Sequence, residues 1–160
     1  MTAVRLPGHL IAGCFYTETY SFMASPSNAP TASSLIHEMG SDPVASVRAG
    51  LPYDVLRRLQ ERLQVSEEPL ARALGTSSRT LSRRRESGTL TTAESDRLVL
   101  LAEVIALAER AFDGTTGAHT WLCTPHAMLG DESPLHHMDT VTGMAEVKTM
   151  LYHIEYGMPA

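Results

Sequence analysis

Cysteine and lysine are almost missing from this 160-residue chain: there are two cysteines, Cys14 and Cys123, and one lysine, Lys148, against twelve arginines. Two cysteines cannot build a disulfide scaffold or a four-thiolate zinc site, and they fit a reducing compartment. Long apolar runs are also missing, none approaching the roughly 18 residues a membrane span needs. There is no glycine-rich phosphate loop. Histidines are more numerous, but none of His119, His126, His136, His137 and His153 has the i to i+4 spacing around a glutamate that a helical zinc hydrolase site requires. The neighbours His136 and His137 point to different faces of any helix. Cys123 follows Trp121 in an apolar run with no basic group beside it, which reads as a small buried hydrophobe rather than a nucleophile. The expectation is a cytoplasmic, non-catalytic protein with no metal and no cofactor.

What is present is enough for a core. Hydrophobic residues make up 43% of the chain and charged residues 19%, a globular composition. The overall charge of −5 hides a strong asymmetry. Residues 1–47 carry one arginine against three acids, 48–97 ten arginines against seven acids, and 98–160 two bases against eight acids. A basic middle and an acidic end suggest two surfaces with different partners, the first a polyanion. At the N-terminus, Pro7, Gly8, His9 and Glu18 interrupt what would be the apolar part of a secretory signal. From Ser21 to Ser34 the chain has few large apolar residues to repay ordering, so residues 1–33 are read as a disordered tail.

Beyond the tail the patterning is helical and no strand of comparable strength appears, so the fold class is all-α. Leu35, Ile36 and Met39 suggest a short helix ended by Gly40, and 43–48 a short turn. Pro52 opens a helix with Val55, Leu56, Leu59 and Leu63 on one stripe. Ser66 caps the next, which buries Leu70, Ala71 and Leu74 and stops at Gly75. Ser77 caps a helix running through Glu86 to Gly88. Thr91 and Glu94 form a capping box at the head of a long helix with Leu98, Leu101, Ile105, Ala108 and Phe112 on one stripe. Shorter helices hold Trp121 and Leu122, then Ser133 to Met138. The last carries Met144, Val147, Leu151 and Ile154 inward and ends at Gly157.

The sharpest local signal is Leu70 to Leu81 with the arginines that follow. Ala71 is small enough for two helices to approach, Gly75 makes the sharp turn four residues later, and Leu81 plugs the angle six further on, a helix-turn-helix pattern. At 100° per residue Leu81 lies 200° from both Arg79 and Arg83, so burying Leu81 turns those two arginines outward. Ser78, Arg79, Thr80 and Arg83 are placed to enter a DNA groove, with Arg84 and Arg85 aimed at flanking phosphates. The bland competitor is a helical hairpin with a solvated arginine face. The position three after Leu81, often aliphatic in such units, is Arg84 here.

Residues 50–160 resemble the Xre-type antitoxins of the MbcA/ParS/Xre family. The likeness is carried by Arg79 to Arg85, Gly88, Leu90 and Ala93 to Leu98 in the first part. In the second it is carried by Phe112, Trp121, Leu122, Pro125, Leu129, Gly130, Pro134, Leu135, Thr140, Gly143, Val147, Leu151, Ile154 to Gly157 and Ala160. The resemblance implies a type II antitoxin that represses its own operon. It also implies a partner: a RES-domain toxin that consumes NAD or transfers ADP-ribose from it. By the same resemblance Ile154, Glu155, Tyr156, Gly157, Met158, Pro159 and Ala160 form a C-terminal plug over the toxin's active-site entrance. The residues suit that role, since Glu155 and the terminal carboxylate can meet an arginine-rich pocket while Tyr156 and Met158 add apolar contact. The competing possibility is that Tyr156 closes the protein's own core and the last three residues fray. Trp121 reads as a core anchor of the second half.

The expected organisation is a tail over 1–33, a helical region over 34–113 with the helix-turn-helix at about 50–90 and a linking helix, and a toxin-binding module over 114–160. A homodimer on operator DNA, within a larger complex with the toxin, is expected, because one short helix offers too little contact for operator specificity. The rival function is a stand-alone helix-turn-helix regulator whose C-terminal module dimerises or binds a ligand.

Overall fold

The computed structural model describes residues 42–157. The fold is all-α. The tail and the helix expected around Leu35 to Met39 lie outside the described residues, as do Met158, Pro159 and Ala160 of the plug.

Helix α1 spans Pro43–Ala49, with Asp42 as its cap. Helix α2, Tyr53–Leu63, follows Pro52 and buries Leu56, Leu59 and Leu63, while Val55 is only partly covered. Helix α3, Glu67–Ala73, places Pro69 in the first turn and buries Leu70 and Ala71. The chain then turns at Gly75, whose φ is +68°. The amide of Thr76 donates to the Ala71 carbonyl across 2.9 Å. Gly75 is needed twice over, because a side chain there would be strained and its Cβ would sit 2.8 Å from the Arg97 guanidinium. Helix α4, Ser78–Ser87, begins where the Ser77 hydroxyl accepts the Thr80 amide and ends at Gly88 with φ +74°. Leu81 is completely buried in the angle between α3 and α4, worth about 1.5–3 kcal/mol over an exposed leucine.

Helix α5, Thr92–Ala111, is the longest and opens with the Thr91–Glu94 capping box. The sequence suggests a single apolar stripe, yet Val104 through Glu109 are all buried. The reason is that α1, α3, α6 and α8 all pack on this one helix, so little of its middle circumference meets water. Helix α6 is Thr115–Cys123, a 3-10 turn covers Ala127–Leu129, and α7 is the short Pro134–His137, capped by Ser133. Helix α8, Val141–Tyr156, lies along α5 and buries Met144, Val147 and Leu151. Ile154, expected to continue that inward stripe, is 42% exposed, because α8 runs on past the core. Gly143 lets α8 come close to α7: a Cβ there would fall 1.9 Å from the His137 carbonyl oxygen.

Candidate functional site

With Leu81 buried, the outer face of α4 is set by helix geometry. Arg79, Ser82, Arg83 and Glu86, spaced i, i+3, i+4 and i+7, are all exposed. Ser82 donates its hydroxyl to the Ser78 carbonyl within the same helix, and the Thr80 hydroxyl lies 3.0 Å from that of Ser77. Arg79, Arg83 and Glu86 have no ion-pair partner among the described residues. Ser78 and Thr80 are half-buried beside them at the helix start.

Arg84 and Arg85, expected to face flanking phosphates, are both engaged within the chain. Arg84 Nε lies 2.9 and 3.2 Å from the two carboxylate oxygens of Glu94. Glu94 is 6% exposed and accepts the Thr91 amide at 2.8 Å. Burial works against the charge on Glu94, but the Thr91 amide and the Arg84 guanidinium outweigh it and hold the carboxyl below the usual range. The aliphatic residue often found three positions after Leu81 is thus replaced by an ion pair that ties α4 to the head of α5. Arg85 pairs with Glu67 and stacks over the Tyr53 ring at 5.6 Å, although its own side chain stays largely exposed.

Most other basic residues of the first half are similarly paired: Arg57 with Asp54 and Glu61, Arg72 with Glu68, and Arg62 with Glu109 at 2.5 Å. Arg97 donates to the backbone carbonyls of Ala73 and Asp139, joining α3 to the α7–α8 corner. Arg48 is the exception among these described residues. It is exposed at the end of α1, where its carbonyl accepts the Thr92 hydroxyl beside the α4–α5 turn, and its guanidinium has no partner among the described residues.

The end of α8 carries the C-terminal segment. Tyr156 is 66% exposed and stacks on Tyr152 with ring centroids 6.3 Å apart, so it does not close the protein's own core. Glu155 is half-buried and paired with Arg110 through two contacts of 3.2 Å. Gly157 caps α8 with φ +62°. Trp121, expected as a core anchor, is only partly buried, its ring between Phe112 at 5.4 Å and His126 at 5.1 Å. Cys123 is buried, but as a disulfide-bonded sulfur rather than the simple small hydrophobe expected. Between α8 and the 3-10 turn runs a groove of about 450 Å³ lined by Met128, Leu129, Ala145, Thr149, Met150 and His153 among others. At one edge His137 sits between Glu146, 2.7 Å from Nε2, and Glu132, 3.3 Å from Nδ1. The Glu146 contact raises the His137 pKa above the ordinary histidine value, against the smaller opposing effect of burial.

Two known domains account for this architecture. Residues 42–103 match the antitoxin Xre-like helix-turn-helix domain, and residues 107–157 match the antitoxin Xre/MbcA/ParS C-terminal toxin-binding domain. The chain belongs to the Xre antitoxin family. It is similar to Antitoxin Xre of Yersinia enterocolitica, 34% identical over 72% of this chain and 79% of that one. It is also similar to the Prs ADP-ribosylating antitoxin of a Sphingobium strain, 25% identical over 72% of this chain and 79% of that one. Antitoxin Xre of Photorhabdus laumondii is 28% identical over 71% of this chain and 78% of that one. The protein is therefore an Xre-family antitoxin with a helix-turn-helix domain and a toxin-binding domain. No described helix of this antitoxin is long and apolar enough to cross a membrane.

Proposed function

We propose that this antitoxin binds and blocks a RES-domain toxin that consumes NAD or transfers ADP-ribose from it, and that it represses its own operon as a cytoplasmic homodimer. In this reading the helix-turn-helix at about 50–90 contacts operator DNA through Ser78, Arg79, Thr80 and Arg83. Arg48 supplies a phosphate contact at the exit of α4. Arg84 and Arg85 hold the helix in place instead of gripping DNA. The module over 114–160 takes the toxin, and Ile154 to Ala160 form the plug. The observation that carries the toxin side is the end of α8. Ile154 and Tyr156 are large apolar side chains left in water within the segment that matches a toxin-binding domain, and exposed aromatics of this kind are typical interface anchors. The Sphingobium relative's name, which joins ADP-ribosylation to an antitoxin, supports the chemistry on the partner's side.

The experiment is co-expression with the product of the adjacent gene, size exclusion with light scattering, and an assay of NAD loss. The expected result is a stable complex in which NAD loss is suppressed, with suppression lost when Met158 to Ala160 are removed. A neighbour inert toward NAD, or full inhibition by the truncated chain, refutes the corresponding part of the reading.

A further inference from the structure

The outer face of α4 contains an acid where a DNA-facing helix has reason to avoid one. Measured from Leu81, Arg79 points at about 160°, Arg83 at about 200° and Glu86 at about 140° around the helix axis. The three charged groups therefore share one outward face, which Leu81 fixes by being fully buried. Glu86 is exposed, and Arg83 lies only one turn before it in the chain, yet Glu86 has no ion-pair partner among the described residues. Its carboxylate is unengaged, as are the two guanidinium groups.

We propose that Glu86 is a base-reading residue of the operator interface, accepting a hydrogen bond from the N4 amino group of a cytosine in the major groove while Arg79 and Arg83 read guanines. This rests on the DNA-binding reading above. In the major groove arginine matches guanine O6 and N7, and a carboxylate matches the cytosine amino group. Adenine also offers an amino group, but its neighbouring N7 is an acceptor that repels a carboxylate. From Arg79 to Glu86 the helix rises about 10 Å, close to three base-pair steps of about 3.4 Å each. A half-site thus carries two guanines and one cytosine within about four consecutive pairs, all from G·C pairs. Placed between two strands of phosphates, Glu86 also lowers affinity for any duplex lacking that cytosine, so it sharpens discrimination at the expense of general affinity.

The test selects duplexes from a library with a randomised core, using the full-length antitoxin, its Glu86→Gln and Glu86→Ala variants and the Arg79→Ala/Arg83→Ala double variant. Mobility shifts on the enriched duplex and on an unrelated one follow. Glu86 is exposed and unpaired, so both substitutions leave the fold intact, which circular dichroism checks. The wild type is expected to enrich a motif with the G·C pattern. Glu86→Ala loses the cytosine preference by about tenfold, within the range of one good base contact, and binds the unrelated duplex more tightly. Glu86→Gln shifts that position toward adenine, which an amide reads in two places. An unchanged motif in both variants overturns the inference, whether or not affinity for every duplex rises. If the wild type enriches nothing, the DNA-binding reading falls with it. If the double arginine variant alone loses enrichment, only the assignment of Glu86 falls.

Discussion

Replacing Arg84 by glutamine separates two roles that an arginine on a DNA-binding helix can have. Arg84 meets both oxygens of Glu94, which is almost fully buried and already accepts the Thr91 amide. A hydrogen bond to a charged group contributes about 1.5–3 kcal/mol, and removing one partner of a buried pair costs more, about 3–5 kcal/mol. Glutamine can still donate one hydrogen bond, and Glu94 keeps its Thr91 contacts, so a loss of about 2 kcal/mol is expected. For a protein of this size that is a drop of roughly 8 °C in thermal midpoint. Pairing Arg84→Gln with Glu94→Gln in a double-mutant cycle should return a coupling energy of about 1–2 kcal/mol. The stabilisation also depends on pH. Because the folded-state pKa of Glu94 is depressed, its contribution is complete above the ordinary carboxylate range and is lost as acid carries the solution down through the depressed value. DNA binding supplies the counter-assay. An intramolecular arginine leaves the slope of log affinity against log salt unchanged, whereas each lost phosphate contact reduces it by about 0.9. An unaltered thermal midpoint together with a shallower salt slope would refute the assignment and put Arg84 on DNA.

Arg48 should behave in the opposite way. Arg48→Ala is expected to leave the thermal midpoint within about 0.5 kcal/mol of wild type and to lower affinity for all duplexes equally, with the salt slope reduced by about 0.9; sequence-dependent losses would contradict a backbone contact. Gly143→Ala should destabilise strongly, since its methyl would sit against the His137 carbonyl and force α7 from α8. A loss of at least about 2 kcal/mol is expected in chemical denaturation, and wild-type stability would show that the corner is loose. His137→Gln should cost most below the ordinary histidine pKa. The wild-type ring is then charged between two carboxylates, and the difference should shrink as pH rises through the raised folded-state value. A difference that grows with pH would contradict the clasp.

Much of this molecule was legible because helix ends announce themselves chemically. Ser77, the Thr91–Glu94 pair and Ser133 are caps that act on amides three residues away, and each does so here. The trio of buried Ala71, turn-making Gly75 and buried Leu81 was similarly local. The partners of Arg84, Arg85 and Arg97 were not legible, because they lie 10 to 42 residues away in sequence and periodicity carries no information about which side chain a cation will meet. Glu86 was visible only as a residue near the end of that capped helix; the structure shows that it is exposed and has no ion-pair partner among the described residues. Ile154 failed for another reason. A 3.6-residue period reports which side of a helix is apolar and is silent about where along its axis the supporting core stops.

The continuity of α5 has a consequence for how such genes can be recombined. The two domain matches meet between residues 103 and 107, in the middle of a helix whose residues 104–109 are all buried beneath elements from both halves. A chimera that joined the DNA-reading half of one antitoxin to the toxin-reading half of another would be spliced through its own core. Arg62 from α2 grips Glu109 on one side of that junction and Arg97 reaches the α7–α8 corner from the other, so a foreign half would arrive without its partners. Exchange of toxin specificity between operons is therefore expected to proceed by substitutions at the exposed end of α8, or by transfer of the whole chain with its toxin, and modular shuffling at the domain boundary should leave few functional descendants.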